Sequence, residues 1–491
     1  MKKLTTLCAM LLLCSAMAMA DDNVPPVIHP KIGIEAKSAD GQISLKLVGK
    51  RQNFGGSADT RDDAINSPKS VNVHPDGKKY YVNSLEGGTT VVFEMGTNKR
   101  LKVISHHIGE EHASLWSKPS PFYQFTHYPK NNCFMGKPVE SAFSHNGRYL
   151  WVPYYRRSYD INAQDPSAVA IIDTKTDEII KLMETGPLPK MIRASRDGKL
   201  MAISHWGNNT VGLIDISSDN PDEWHHIACL TIDYILPLNY SLTESVDRDN
   251  GSGYALRGTA FTPDNRYLLV GCMGGGGGIA VVDLQKGKYM GRVLGMMTNV
   301  RHIIIVGDYL YLSINGAGYV QRIELKKFLN AAAGMKGKTC TLTGWQNCKV
   351  GKGARTIEAS PSGRYIFAAC NNASQLCVVD TKQMKCICTI DVDSYPVGLD
   401  VSKDGRYVLV TSQGRSHFGG NALNIYEVEY ATPEKPLPSP TDTTKRDTAV
   451  IATQADNNGG SHKSSKLPLI IGGSSSILLL GFFAMRRKGK K

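Results

Sequence analysis

Short apolar runs alternate with polar turns along most of this chain, and the alternation repeats. Each unit reads as an apolar strand, a Gly or Asn turn, a Tyr-rich strand, and an apolar strand ending in Asp or Glu. It opens at Ser70-Val71-Asn72-Val73-His74-Pro75-Asp76-Gly77, followed by Lys79-Tyr80-Tyr81-Val82. It returns as Ala142-Phe143-Ser144-His145-Asn146-Gly147-Arg148-Tyr149-Leu150. Further copies turn at Asp197-Gly198, Asp264-Asn265, Ser362-Gly363 and Asp404-Gly405, with a weaker one at Gly307-Asp308-Tyr309-Leu310. A repeated unit made only of strands predicts a β-propeller. The expected fold is all-β, with seven blades of four antiparallel strands.

Two blades show the unit clearly. The second places strands at Glu140–Ser144, Tyr149–Pro153, Ala168–Asp173 and Ile179–Glu184. The sixth places them at Thr356–Ser360, Tyr365–Ala369, Gln375–Asp380 and Lys385–Ile390. The seventh has only three strands before the chain leaves the repeat after Tyr430. Gln42–Lys50 supplies the fourth: Ile43, Leu45 and Leu47 alternate with Ser44, Lys46 and Val48, the period of a strand with one buried face. A strand from each chain end then closes the ring, and closure removes exposed sheet edges.

The ends have different patterns. Residues 1–20 read as a signal peptide: Lys2 and Lys3 precede Leu11-Leu12-Leu13, and Ala18-Met19-Ala20 is a small-residue cleavage site. Residues 431–466, with Pro433, Pro436, Pro438 and Pro440, read as a disordered Pro/Thr/Ser-rich linker. Residues 467–485 are uncharged and apolar enough to predict a transmembrane helix, and 486–491 form a basic tail expected to stay cytoplasmic. The same ending resembles a bacterial sorting signal. The propeller is therefore expected outside the cytoplasm, on the periplasmic or extracellular side of a membrane.

Composition adds little to this picture. The net charge is +13, but seven cations lie in the leader and tail, and removing them leaves +6. A balance that small does not by itself argue for nucleic acid, which is not the expected partner.

Tyr81-Val82-Asn83-Ser84 sits where the YVTN-repeat β-propeller proteins carry their tetrapeptide. The turns His74-Pro75-Asp76-Gly77 and Ser360-Pro361-Ser362-Gly363-Arg364-Tyr365 have the same form. Over residues 42–430 the chain resembles that YncE-like family, which is broadly similar to the lactonase-type propellers. The resemblance implies the fold. It assigns no catalytic residue, because the motif is structural.

Bare blades take 42 residues from turn to turn, and the excess elsewhere marks insertions at 107–136, 154–167, 233–254 and 412–422. In an up-and-down blade these joints open on one face, which makes that face the expected binding face. Its loops carry aromatic, His and Arg residues, among them Tyr154, Arg156, His205, Arg415 and His417. Such side chains suit ligand or partner surfaces; the alternative is that they pack the insertions onto the propeller.

A second pattern lies at the innermost strands. Counting back eight from each turn residue gives Lys69, Val139, Lys190, Arg257, Arg355 and Val397, and the shortened fifth blade offers Arg301. Five cations should ring the channel mouth and attract an anion. The alternative is pairing with carboxylates such as Glu140, Glu358 or Asp400.

Nine cysteines remain beyond residue 20, and export favours disulfides or buried thiols over a metal site. No HExxH or CxxCH is present, so neither metal nor cofactor is assigned. Gly274–Gly278 lacks a following Lys-Ser/Thr and reads as a hairpin loop. The leading expectation is a non-enzymatic binding or scaffold propeller that engages a ligand or envelope protein partner, tethered to the membrane. The alternatives are a lactonase-like hydrolase or metal-assisted oxidoreductase on the same face, and a structural envelope protein.

Overall fold

The computed structural model describes residues 27–437, except 55–59, 124–132, 159, 161–164, 238–247, 249–250 and 415–418. Seven antiparallel sheets follow one another around a ring. Blade one runs Pro68–Val73, Lys79–Ser84, Thr89–Glu94 and Arg100–Ser105. Blade six, at Ala354–Ala359, Tyr365–Cys370, Gln375–Asp380 and Lys385–Asp391, matches the sequence reading to within two residues at each strand end. Asp-Gly and Ser-Gly turns join the first two strands, where Gly77, Gly198, Gly363 and Gly405 take φ near +70°.

The ring closes as expected. Ile43–Gln52 lies beside Ala422–Tyr430 in blade seven, with Leu45 opposite Val428 and Lys50 opposite Asn424. Ile43, Leu45 and Leu47 are fully buried and pack with Phe367 and Val378 of blade six. Full burial of three such side chains contributes on the order of 5–9 kcal/mol before chain entropy is charged against it. A short outer strand, Glu35–Lys37, then covers the edge of Ile43–Gln52.

The fifth blade is interrupted after its third strand. Helix Leu325–Ala333 precedes Thr339–Thr341, which adds in parallel to blade four, and Gln346–Lys349, which completes blade five. Between neighbouring blades the core is continuous. Trp151 and Ile171 of blade two, for example, pack with Ile192, Met201 and Ile214 of blade three.

Two expectations at the C-terminal end change. The transmembrane helix is not supported: among the described residues no helix is long and apolar enough to cross a membrane. Leu325–Ala333 has nine residues, where about 20 are needed. Residues 467–485 themselves lie outside the described residues, as do the signal 1–20 and the tail 486–491. The start of the expected linker is held by the propeller rather than left free. Ser362 N donates to Glu434 Oε2 at 2.9 Å, and Leu437 N donates to Pro361 O at 2.9 Å.

Candidate functional site

The innermost strands of six blades share one backbone device. Pro68 faces Ser84 and Ser70 faces Asn83, so Lys69 is an extra residue in the ladder. The same slip leaves Lys190, Arg301, Arg355 and Val397 as extra residues, and in blade four Arg257 and Gly258 stand against Gly271 alone. Each is a β-bulge, which bends a strand and re-aims a side chain. Two residues upstream the chain is always left-handed: Ser67, Leu188, Ala255, Asn299, Gly353 and Tyr395 have φ between +46° and +79°. For Leu188, Ala255 and Tyr395 that conformation costs on the order of 1–2 kcal/mol each, which the closed ring must offset. The five expected cations thus occupy the bulge position in five blades.

Bulge carbonyls tie neighbouring blades together. Ser204 Oγ donates to Arg257 O at 3.0 Å, Ser313 Oγ to Arg355 O at 2.5 Å, and Thr356 Oγ1 to Val397 O at 2.7 Å. Gly258 permits a close approach here, since a Cβ would lie 2.9 Å from Ile303 N and 3.0 Å from His302 Cα.

Arg257, Arg301 and Arg355 line one cavity of about 60 Å³ at the axis, together with Glu140, Ser70, Asn72 and Ser141. Glu140 forms an ion pair with Arg257. Burial alone would raise the Glu140 carboxyl, but Arg257, Lys69 and Arg355 outweigh it and hold it at about 2. The cations press on one another. Burial, and then Arg355, lowers the Lys69 ammonium well below its ordinary value; burial, and then Lys69, does the same for Lys190. Arg355 is lowered to about 10 by burial and by Arg257.

Their neutral contacts are weak. Lys69 Nζ reaches Gln413 Oε1 at 3.4 Å, Arg301 Nη1 reaches Asn315 Oδ1 at 3.5 Å, and Arg355 Nε donates to Val397 O at 3.2 Å. Lys190 Nζ sits over the rings of Tyr155 and Trp206, 3.7 and 4.9 Å from their centroids. Three buried atoms on this wall have no hydrogen-bond partner among the described residues: Arg301 Nε, Arg355 Nη2 and Glu140 Oε2.

Deeper in the cavity the charges mix. Asp400 Oδ2 accepts from Val73 N at 2.7 Å and Oδ1 from Val401 N at 2.9 Å. Burial and the neighbouring Glu358 push the Asp400 carboxyl up to about 7. Arg193 Nη2 lies 3.3 Å from His302 Nε2. Carboxylate pairing, the alternative for the ring cations, is therefore realised for Arg257 with Glu140. Asp400 and Glu358 belong to the layer below, where burial raises both carboxyls and Arg193 only partly offsets it.

The remaining expected site residues are placed elsewhere. Tyr154 is buried because the strand Tyr149–Arg157 runs on beyond Pro153 and packs it with Ile108, Phe134 and Leu182, and its hydroxyl lies 3.0 Å from His106 Nδ1. His205 is fully buried between Thr185 Oγ1 and Thr210 Oγ1, each 2.8 Å from a ring nitrogen. Neither lines the cavity. Arg156 stacks on Tyr155, with its guanidinium 5.2 Å from the ring centre. Arg415 and His417 lie outside the described residues. Sequence reasoning missed the central place of Glu140, whose signal was its position one residue after the blade-two counterpart of the bulge. It also missed His302, which follows the Arg301 bulge as Glu140 follows Val139, and Arg193, three residues past its bulge like Glu358 and Asp400. Among the described residues no three His, Cys, Asp or Glu side chains come together as a group that could hold a metal ion.

No family model matches the chain. No curated protein matches it either. Among solved structures it is similar to the hydrazine synthase of Kuenenia stuttgartiensis, at a TM-score of 0.52 and 14% identity, over 78% of this chain and 99% of that one. The likeness shows a shared β-propeller fold. At that identity it carries no activity, substrate or ligand across.

Proposed function

We propose that this chain is an exported β-propeller binding protein that holds an anionic ligand, or an acidic segment of an envelope partner, at its cation-lined channel mouth. One observation carries the reading: five blades each carry a cation at the bulge, and of the three that line the axial cavity, Arg257, Arg301 and Arg355, only Arg257 has a carboxylate partner among the described residues, Glu140. Strand stability asks for no cation at a bulge, as Val397 in blade seven illustrates. Crowded like charges are costly unless something neutralises them, and an anion from outside does so. Export rests on residues 1–20, and the YVTN-like Tyr81-Val82-Asn83-Ser84 supports kinship with the YncE-like propellers.

The test is calorimetric titration of the purified full chain with a panel of small anions at low ionic strength. Arg301→Gln with Arg355→Gln should weaken binding at least tenfold while the melting temperature holds, because neither arginine has a carboxylate partner among the described residues. Binding should also weaken as salt rises. A double variant that binds as before and unfolds more easily would make these arginines structural.

A further inference from the structure

We propose that the group held in the cavity is a phosphate that keeps one proton, and that Glu140 selects it over sulfate. This rests on the anion-binding reading above and names the chemistry of the same site.

Size is the first argument. The cavity measures about 60 Å³, room for a few waters or one compact ion, where drug-sized ligands need about 300 Å³ or more. Charge is the second. Arg257 is matched by Glu140, while Arg301 and Arg355 beside it reach no carboxylate at ion-pair distance among the described residues; Glu358 and Asp400 line the deeper part with Arg193. A doubly charged ion offsets that surplus better than a singly charged one of the same volume. The donors are guanidiniums, whose planar forks fit tetrahedral and trigonal oxyanions.

Selection comes from the orphaned atoms. Arg355, 2% exposed, leaves Nη2 without an acceptor, and Arg301 leaves Nε without one. Both ask for oxyanion oxygens. Glu140 uses Oε1 for Arg257 and leaves Oε2 without a donor. An ionised carboxylate oxygen facing a bound oxyanion is repulsive unless that oxyanion brings a hydrogen of its own. Monohydrogen phosphate does: its unprotonated oxygens accept from Arg301 and Arg355, and its P–OH donates to Glu140 Oε2. Sulfate matches it in charge and shape at neutral pH but has no proton to give. A buried acceptor left unpaired against an anion separates near-identical ligands by large factors, because the missing hydrogen bond is never recovered.

The experiment titrates the purified full chain, in low-salt buffer at pH 7.5, with inorganic phosphate, sulfate and acetate. Phosphate should bind at one per chain and at least tenfold tighter than sulfate or acetate. In Glu140→Gln, whose amide can donate as well as accept, sulfate should gain on phosphate until the preference is lost or reversed. Glycerol phosphate at pH 5.5, where the ester is largely singly protonated, separates the sources. Tighter binding than of free phosphate points to a phosphate carried on a larger molecule, and weaker binding to the free ion. Sulfate binding as tightly as phosphate to the unaltered chain overturns the selection by Glu140 and leaves the anion-binding reading standing. Failure of every anion to bind overturns both.

Discussion

Glu140 of blade two and Arg257 of blade four, 117 positions apart in the chain, form an ion pair inside the channel. Their side chains are 14% and 4% exposed, so the pair is largely withdrawn from water. Withdrawing it is costly, and the Coulomb attraction at close range offsets that cost only while both partners remain. Lys69 and Arg355 add to the hold on Glu140, which makes this one carboxylate the internal counterweight of the ring.

Glu140→Gln should therefore lower stability by about 3–5 kcal/mol, the usual cost of removing one partner of a buried pair. The loss should be greatest in low-salt buffer and shrink when a multivalent anion is added, because that anion then supplies the missing charge. Thermal unfolding of the variant with and without 50 mM sulfate measures both effects. A variant that melts like the parent in low salt would mean that Glu140 does not balance the ring.

Closure gives a second expectation. Leu45 is fully buried on the N-terminal strand, opposite Val428 and against blade six, whereas Lys46 beside it is 51% exposed and pairs with Glu35 at the surface. Leu45→Ala should cost about 2–5 kcal/mol through lost burial and the cavity left behind. Lys46→Ala should stay within about 0.5 kcal/mol. Chemical denaturation of the two variants compares them directly. Equal and small effects would detach the strand from the ring.

The closure was legible because alternation at Ile43, Leu45 and Leu47 is a period-two signal that nothing else in the N-terminal segment competes with. The cation ring was legible for a related reason: a constant count from turn to bulge keeps equivalent positions equivalent, so Lys69, Lys190, Arg257 and Arg355 fall in register without knowledge of the backbone. The bulges themselves were not. Leu188, Ala255 and Tyr395 are poor left-handed residues, and only tertiary contacts hold them there. Tyr154 and His205 were read as loop residues because Pro153 and the polar Ser204 end the apolar run before them, although Tyr154 still packs with Ile108, Phe134 and Leu182 and His205 is still the last residue of its strand. Counting along the chain cannot separate a loop histidine from a strand-end histidine buried between two threonines.

Gly258 tests how tightly the innermost strands must approach. Its built Cβ would stand 2.9 Å from Ile303 N, and backbone cannot rotate away as a side chain can. Gly258→Ala should push blades four and five apart and cost on the order of 1–3 kcal/mol, the range for overpacking. Because Arg257 precedes it, the variant should also weaken anion binding. Gly287→Ala is the control, since nothing lies within 4 Å of a Cβ there; its own cost should come from φ +57° alone, about 1 kcal/mol, with binding unchanged. Equal losses of binding in the two variants would remove the close approach as the cause.

Stability should also fall in mild acid, and buried histidines set the window. Burial holds His106, His205 and His302 at about 3 and His226 at about 4, against 6.5 for an exposed imidazole. Each is neutral in the folded chain and protonates freely in the unfolded one, so unfolding takes up protons. The stability they lend is complete above pH 6.5 and drains away as pH falls toward 3. At pH 5 each has lost about 2 kcal/mol, at 1.36 kcal/mol per pH unit over roughly 1.5 units. Asp400 works in the opposite sense. Its carboxyl, at about 7 when folded and 3.8 otherwise, takes its proton earlier in the folded state, so it adds stability as pH falls through 7 toward 4. Four histidines outweigh one aspartate, and the net change between pH 7.5 and 5 should be a loss of several kcal/mol. Melting temperatures across that range measure it. His302→Gln should melt lower at pH 7.5 and yet lose about a quarter less of the histidine-linked stability on acidification. A melting temperature that rises steadily from pH 7.5 to 5 would mean that these imidazoles are not held neutral.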